Sequence, residues 1–174
     1  MLILAKFDHK ISLAIHNVAR KNDALHTVAV IFARWVFWAL LIGIGGVIYL
    51  QQGPIYVAEL IRMTTMSLIV GFIGNLWLGK IFMRKRPFVT HKLHALIPTN
   101  WLGTSFPSDH AMLSFALATP LFVVNPAAGI LALAVAGCIG VSRVGVGVHY
   151  VSDVVVGSAV GIIATALAVF FVAF

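Results

Sequence analysis

The uncharged stretch AMLSFALATPLFVVNPAAGILALAVAGCIGVS, residues 111–142, sets the architecture expected for this chain. A helix needs roughly 20 apolar residues to cross the hydrocarbon core of a bilayer. This stretch has 32 residues without a charge, too many for a single crossing. Asn125-Pro126 divides it near the middle, and proline cannot continue a helix without losing a backbone hydrogen bond. We therefore predict two transmembrane helices joined by a tight turn.

Three further crossings are predicted outside this stretch, at residues 26–50, at residues 56–83 and from about residue 149 to 174. The sequence Gln-Gln-Gly-Pro at 51–54 predicts a turn between the first two of them. Residues 2–20 carry apolar side chains at helical spacing, with lysines elsewhere on the helical wheel. The expected fold is all-α, an integral membrane helical bundle of five transmembrane helices preceded by an N-terminal interfacial amphipathic helix.

The composition agrees with a membrane protein and excludes an ordinary soluble fold, because 61% of the residues are hydrophobic and only 10% are charged. We expect one domain, residues 1–174. The net charge is +7, and the basic residues gather at the ends of predicted helices. The expected partners are therefore the lipid bilayer and an anionic lipid substrate, rather than nucleic acid. Cys138 is the single cysteine, which excludes a disulfide framework.

Three clusters of polar residues interrupt the hydrophobic pattern. They are Lys80 with Arg86-Pro87, the segment Pro107-Ser108-Asp109-His110, and Ser142-Arg143 followed by His149 and Asp153. Ionisable groups beside a lipid-embedded bundle cost free energy, so they are candidate functional residues. Five crossings after an interfacial helix would put the N-terminus, residues 84–107 and residues 142–149 on one face of the membrane. We therefore expect the three clusters to meet.

These residue types suit phosphoryl transfer, which needs cations around the phosphate, a nucleophile and a proton donor. Arg86 and Arg143 carry planar guanidinium groups that match pairs of phosphate oxygens, and Lys80 supplies a compact charge. Pro107 suits the first turn of a helix. Ser108 is therefore expected at a helix N-terminus, where backbone N–H groups favour an anion.

His149 and Asp153 lie four residues apart, so they would share one face if this segment is helical. A carboxylate that accepts the proton of one ring nitrogen leaves the other nitrogen free to attack phosphorus. His149 would then form a phosphohistidine, and His110 would donate a proton to the departing oxygen. The competing interpretation of Arg143 and Asp153 is a structural ion pair. The remaining histidines are interpreted as hydrogen-bonded interfacial residues: His9, His16, His26, His91 and His94.

The three clusters resemble the signature of the PAP2 family, the phosphatidic-acid-phosphatase-like membrane lipid phosphatases related to vanadium haloperoxidases. That signature is Lys, six residues, Arg-Pro; then Pro-Ser-Gly-His; then Ser-Arg, five residues, His, three residues, Asp. Ser142-Arg143, His149 and Asp153 match the third element in full. Asp109 stands where glycine is usual in the second element, and only five residues separate Lys80 from Arg86.

The resemblance implies roles for seven residues and no metal or other cofactor. They are His149 as nucleophile, Asp153 as its orienting partner, His110 as general acid, and Lys80, Arg86, Ser108 and Arg143 as phosphate ligands. The short first element leaves open whether Lys80, Arg84 or Lys85 takes the part of the lysine. Arg84 and Lys85 are otherwise interpreted as ordinary basic residues at a membrane boundary.

We therefore predict an integral-membrane lipid phosphatase. The chain resembles the branch of the family that recycles carrier lipids, which implies undecaprenyl diphosphate as substrate. Phosphatidylglycerophosphate, phosphatidic acid and lipid A phosphate are alternatives, because nothing in the motifs distinguishes one lipid tail from another. A non-catalytic anion transporter or lipid-binding scaffold is an alternative of another class. The resemblance implies a site on the extracytoplasmic side of a bacterial inner membrane, whereas the basic residues on that face favour the cytoplasmic side.

Overall fold

The computed structural model describes residues 2–50, 54–99 and 103–173, and the elements in these ranges are all helical. In chain order they are α1 (Leu2–Lys21), α2 (Asp23–Ile31), a π-helical turn (Phe32–Val36), α3 (Phe37–Leu50), α4 (Pro54–Phe82), α5 (Pro87–Thr90), α6 (Asp109–Val124), α7 (Pro126–Gly145) and α8 (Val151–Ala173). The turn predicted at residues 51–54 falls mainly on 51–53, which lie outside the described residues.

The protein is a multi-pass membrane protein whose described part contains four candidate crossings. By length and composition these are Asp23–Leu50, Ile55–Thr90, Pro126–Gly145 and Val151–Phe171. The fifth predicted crossing corresponds to α6, which has 16 residues. It is therefore about 24 Å long, shorter than a hydrocarbon core of roughly 30 Å. The structure thus gives four full-length candidates and one shorter apolar helix.

The break predicted at Asn125-Pro126 is confirmed. α6 ends at Val124 and α7 begins at Pro126. The Asn125 side chain accepts a hydrogen bond from the Ala128 amide at 3.1 Å, so it caps the new helix. Proline at the first helical position loses no hydrogen bond, because the first N–H groups of a helix have no partner within it.

α6 lies at the centre of the bundle, packed against α3, α4, α7 and α8. Its contact with α8 depends on Gly157 and Gly161, which lie one turn apart. A Cβ at Gly157 would stand 2.5 Å from the Ser108 carbonyl oxygen, and one at Gly161 would stand 2.5 Å from that of Met112. These glycines let α6 and α8 approach closely. The approach brings the N-terminus of α6 next to the first turn of α8, so the Ser108 amide donates to the Asp153 carbonyl oxygen at 3.0 Å.

The N-terminal helix is confirmed as α1, but the exposure of its side chains differs from that expected of a simple interfacial helix. Its apolar residues Phe7, Ile11 and Val18 are exposed. Two polar residues, Ser12 and His16, are buried against the rest of the protein. α1 packs on α2, α7 and α8. The helix therefore turns two polar side chains towards the bundle and several apolar side chains outwards.

Candidate active site

His149 lies in the short connection between α7 and α8. α8 begins at Val151, which corrects the expectation that His149 and Asp153 share a helix. Gly147 has φ of +83°, a left-handed conformation that glycine adopts without strain, and it turns the chain after α7. The His149 ring is 3% exposed. The loop thus buries an imidazole just ahead of the helix that carries Asp153.

A backbone carbonyl, rather than the Asp153 carboxylate, is the nearer partner of the His149 ring. The distance from His149 Nδ1 to the Ser105 carbonyl oxygen is 2.7 Å, and that to Asp153 Oδ2 is 3.6 Å. A carbonyl oxygen can only accept, so Nδ1 carries the proton and donates it. The lone pair is therefore on Nε2, and His149 has the tautomer that a nucleophile requires.

Asp153 organises this arrangement from a fully buried position. Oδ2 accepts hydrogen bonds from the Tyr150 amide at 2.8 Å and from the Ser105 hydroxyl. Oδ1 accepts from Arg84 Nη1 at 2.7 Å. Because Ser105 presents its hydroxyl to Asp153 and its carbonyl to His149, the carboxylate orients the imidazole through Ser105. Sequence reasoning missed Ser105, which lies outside the three motifs.

The surroundings of His149 favour its neutral form. Burial lowers the pKa of His149 below its usual value, against the opposing effect of the nearby Asp153 carboxylate. The positive charges of Arg143 and Arg86 lower it further. A neutral imidazole at neutral pH retains the lone pair with which it can attack an electrophile.

Arg143 is buried, and its guanidinium keeps an N–H without a partner among the residues that the structure describes. Its Nη1 donates to the Ala33 carbonyl oxygen, in the π-helical turn, at 2.9 Å. Its Nε is buried and makes no hydrogen bond to residues 2–50, 54–99 or 103–173. An unpaired guanidinium N–H in a low-dielectric setting is costly unless an anion binds there. Arg86 is also buried, at 8% exposure.

The second motif forms the start of α6. Ser108 is the N-cap and accepts a hydrogen bond from the Ala111 amide. Pro107 precedes the cap, which corrects its expected place in the first helical turn. His110, in the first turn, is half-buried, and the Phe37 ring lies edge-on at 6.0 Å between centroids. His110 lies within electrostatic reach of Arg143, His149 and Arg86.

The first motif separates into two groups with different partners. Lys80 and Arg86 line one cavity of about 440 Å³, together with Asp109 and residues of the 103–107 segment. Arg84 instead bridges two carboxylates, those of Asp8 and Asp153, at 2.7 Å each. This corrects the interpretation of Arg84 as an ordinary boundary residue. Lys85 is exposed. Lys80 therefore shares a cavity with Arg86 despite the shortened spacing.

The described part of the chain contains no group of three or more His, Cys, Asp or Glu side chains arranged to hold a metal ion. It does contain a cluster of cations and imidazoles that can receive a phosphate group. The shared setting of His149, His110, Arg86 and Arg143 suits nucleophilic attack on phosphorus with stabilisation of the developing charge.

Similarity to known proteins covers most of the chain. A family model described as the PAP2 superfamily matches residues 59–174. The bacitracin transport permease protein BcrC of Bacillus licheniformis is 27% identical over 159 residues, which cover 91% of this chain and 77% of the relative. The undecaprenyl-diphosphatase BcrC of Bacillus subtilis is 29% identical over 162 residues, which cover 90% of this chain and 79% of the relative.

Two solved structures share the fold. The crystal structure of Aquifex aeolicus LpxE is similar with a TM-score of 0.69 at 23% identity, over 92% of this chain and 93% of that chain. The crystal structure of a transmembrane PAP2-type phosphatidylglycerolphosphate phosphatase from Bacillus subtilis is similar with a TM-score of 0.67 at 22% identity, over 98% of this chain and 87% of that one.

Proposed function

The chain belongs to the PAP2 superfamily, and from this premise we propose that it hydrolyses the terminal phosphate of a membrane lipid, with undecaprenyl diphosphate as its substrate. The observation that carries the proposal is the setting of His149, a buried neutral imidazole with Nδ1 bound to Ser105 and with Arg86 and Arg143 in electrostatic reach. The substrate assignment is supported by a relative, named as an undecaprenyl-diphosphatase, that aligns with 90% of the chain.

The proposed reaction has two steps. His149 Nε2 attacks the terminal phosphorus, a P–N bond forms, and the bond to the bridging oxygen breaks as His110 donates a proton to that oxygen. In the second step His110 takes a proton from water as the water oxygen attacks phosphorus, the P–N bond to His149 breaks, and inorganic phosphate is released. Lys80, Arg86, Arg143 and the backbone amides after Ser108 hold the phosphoryl oxygens, whose negative charge spreads in the transition state.

We expect selectivity for a diphosphate headgroup on a prenyl chain. The purified protein should release phosphate from a short-chain prenyl diphosphate in detergent with a higher kcat/KM than from phosphatidylglycerophosphate, phosphatidic acid or lipid A phosphate. The measurement is the rate of phosphate release across this panel at matched detergent composition. A preference for one of the other three lipids would reassign the substrate, and no release from any of them would refute the phosphatase assignment.

We also propose that the chain acts as one domain in a bacterial inner membrane, that α6 completes a fifth crossing and that the site opens on the extracytoplasmic side. A cysteine introduced at His94, in a Cys138→Ala background, should react with a membrane-impermeant maleimide added to intact cells. The control is a cysteine at Tyr49, exposed near the end of α3, which this topology puts on the opposite side and which should react only after permeabilisation. The reverse pattern would put the site on the cytoplasmic side.

A transporter of phosphorylated lipids or anions is the second candidate, favoured by the permease name of one relative. A transporter would need the basic residues but would not need an imidazole held in one tautomer. Catalytic turnover separates the two functions, because a transporter binds the headgroup without releasing phosphate. Release of more than one phosphate per protein molecule excludes a purely transporting role.

A further inference from the structure

Three polar residues of α1 follow one another at four-residue intervals and face the active-site loop. They are Asp8, Ser12 and His16, which therefore share one face of the helix. All three precede the region matched by the family model, which begins at residue 59. None of them belongs to the motifs that carry the proposed chemistry.

The α1 residues bind both ends of the connection that carries His149. At its far end, Asp8 accepts hydrogen bonds from the Ser152 amide at 2.9 Å and the Ser152 hydroxyl at 2.6 Å. The Ser12 hydroxyl accepts from the Val151 amide at 3.0 Å. These are the first two amides of α8, and amides in the first turn of a helix have no hydrogen-bond partner within that helix. α1 thus supplies the cap for α8 from a distant part of the chain.

At the near end of the connection, His16 contacts the last turn of α7. His16 Nδ1 lies 2.9 Å from the Gly145 carbonyl oxygen, to which it donates because that oxygen can only accept. A Cβ at Gly147 would approach the His16 ring to 3.0 Å, so the left-handed turn lies directly against this ring. The loop that positions His149 is therefore held between α1 and the rest of the bundle.

Asp8 is also linked to the reaction centre through Arg84. Arg84 Nη2 donates to Asp8 at 2.7 Å, while its Nη1 donates to Asp153 at 2.7 Å. The guanidinium stacks on the Tyr150 ring, with its carbon 3.8 Å from the ring centroid. Although burial raises the pKa of Asp8, the hydrogen bonds from Ser152 and Arg84 outweigh it and the pKa is lowered. The carboxylate is therefore charged at neutral pH and holds Arg84 in place.

We propose that Asp8 is a positioning residue of the active site, acting through Arg84, Asp153 and Ser105 to hold the His149 ring. The chain of contacts is continuous: Asp8 fixes Arg84, Arg84 fixes Asp153, and Asp153 fixes the Ser105 hydroxyl. The Ser105 carbonyl oxygen in turn accepts a hydrogen bond from His149 Nδ1. The inference rests on the proposed phosphatase function, because its consequence for rate requires His149 to be the nucleophile. α1 is thereby part of the active site as well as a membrane-facing helix.

Asp8→Asn should lower kcat about 10- to 100-fold, the usual effect of removing a group that orients a reactive side chain through a partner, and should leave KM within about twofold. The amide keeps the size of the side chain and loses the charge that holds Arg84. Asp8→Glu should recover part of the lost kcat. The matched control is Asp23→Asn, which removes a carboxylate from an exposed position and should leave kcat unchanged.

Hydrogen exchange gives a second measurement that does not depend on turnover. In Asp8→Asn the amides of residues 146–153 should exchange faster than in the wild type, while those of α7 should not change. Ser12→Ala, which removes the acceptor of the Val151 amide and the hydroxyl's own hydrogen bond to the Asp8 carbonyl oxygen but keeps the Asp8 carboxylate, should have a smaller effect in the same direction. A wild-type kcat in Asp8→Asn, a loss confined to KM, or unchanged exchange in the loop would overturn the inference.

The two proposals fail in different ways. If the wild type releases no phosphate from any lipid of the panel, the phosphatase assignment fails, while the exchange measurement still tests the link from α1 to the loop. If the wild type turns over and Asp8→Asn matches it, only the role of Asp8 fails.

Discussion

His149→Ala should lower phosphate release about 10⁴-fold or more, because loss of a nucleophile leaves only the catalysis that binding and charge stabilisation provide. The imidazole is buried and held in one tautomer by Ser105, so alanine at this position removes the attacking atom. The measurement is the initial rate of phosphate release from a short-chain prenyl diphosphate in detergent.

The matched control for this variant is His94→Ala. His94 is exposed in the segment before residue 100, and its loss should change the rate by less than about twofold, as expected for a surface substitution. Both variants lose an imidazole. A difference between their rates of phosphate release is therefore due to the position of the histidine and not to the loss of a histidine as such. A His149→Ala protein that keeps a tenth or more of the wild-type rate would argue against covalent catalysis at this residue.

Arg143→Ala should lower kcat/KM about 10²- to 10³-fold, the effect of losing a donor that stabilises charge in the transition state. Arg143 has a buried Nε that has no partner in the described part of the chain, and an Nη1 that donates to the Ala33 carbonyl oxygen. The guanidinium is thus fixed by the π-helical turn and retains a donor for the substrate. Kinetics with the same prenyl diphosphate give the measurement.

Arg143→Lys should recover little of this loss. A lysine ammonium is a single centre on a flexible chain, so it cannot bind the Ala33 carbonyl and also present a second, rigidly placed donor to phosphate. Arg62→Ala provides the control, because this arginine is exposed on α4, outside the site. Activity of Arg143→Lys within about threefold of wild type would show that only a positive charge is needed at this position.

The part of the fold that sequence predicted depends on local chemistry. Asn125-Pro126 ends one helix and starts another because proline and a capping side chain act within a few residues. Ser108 was expected at a helix N-terminus for the same kind of reason and is the N-cap of α6. Counting membrane crossings predicts that the three motifs meet, and in the structure the Ser108 amide donates to the Asp153 carbonyl oxygen, a contact between the second and third motifs.

The contacts that sequence did not predict are long-range. Ser105 contacts His149 and Asp153 only because the segment before α6 folds back over the start of α8. Arg84 was interpreted from its basic neighbours, yet its partner Asp8 is 76 positions away in sequence. No local pattern encodes such a pairing. The sequence points to this pairing only by placing a charged residue, Asp8, in the amphipathic helix α1.

The helical status of His149 could not be predicted either, because a spacing of four fits both a helix and a loop that leads into one. Gly147 has the left-handed conformation. The Asp153 side chain accepts a hydrogen bond from the Tyr150 amide and so forms part of the cap of α8. The loop conformation therefore depends on the cap and on packing against His16. Pattern spacing identified the residues, and tertiary contacts determine their geometry.

The formation of phosphohistidine at residue 149 is the central claim, and it can be measured by quenching a single turnover. Enzyme in excess over prenyl diphosphate labelled in its terminal phosphate should carry label that survives alkali and is lost in acid, on the peptide that contains His149. His149→Ala should carry none. Turnover by the wild type without any labelled protein at the earliest quench times, or label on a peptide lacking His149, would contradict the account.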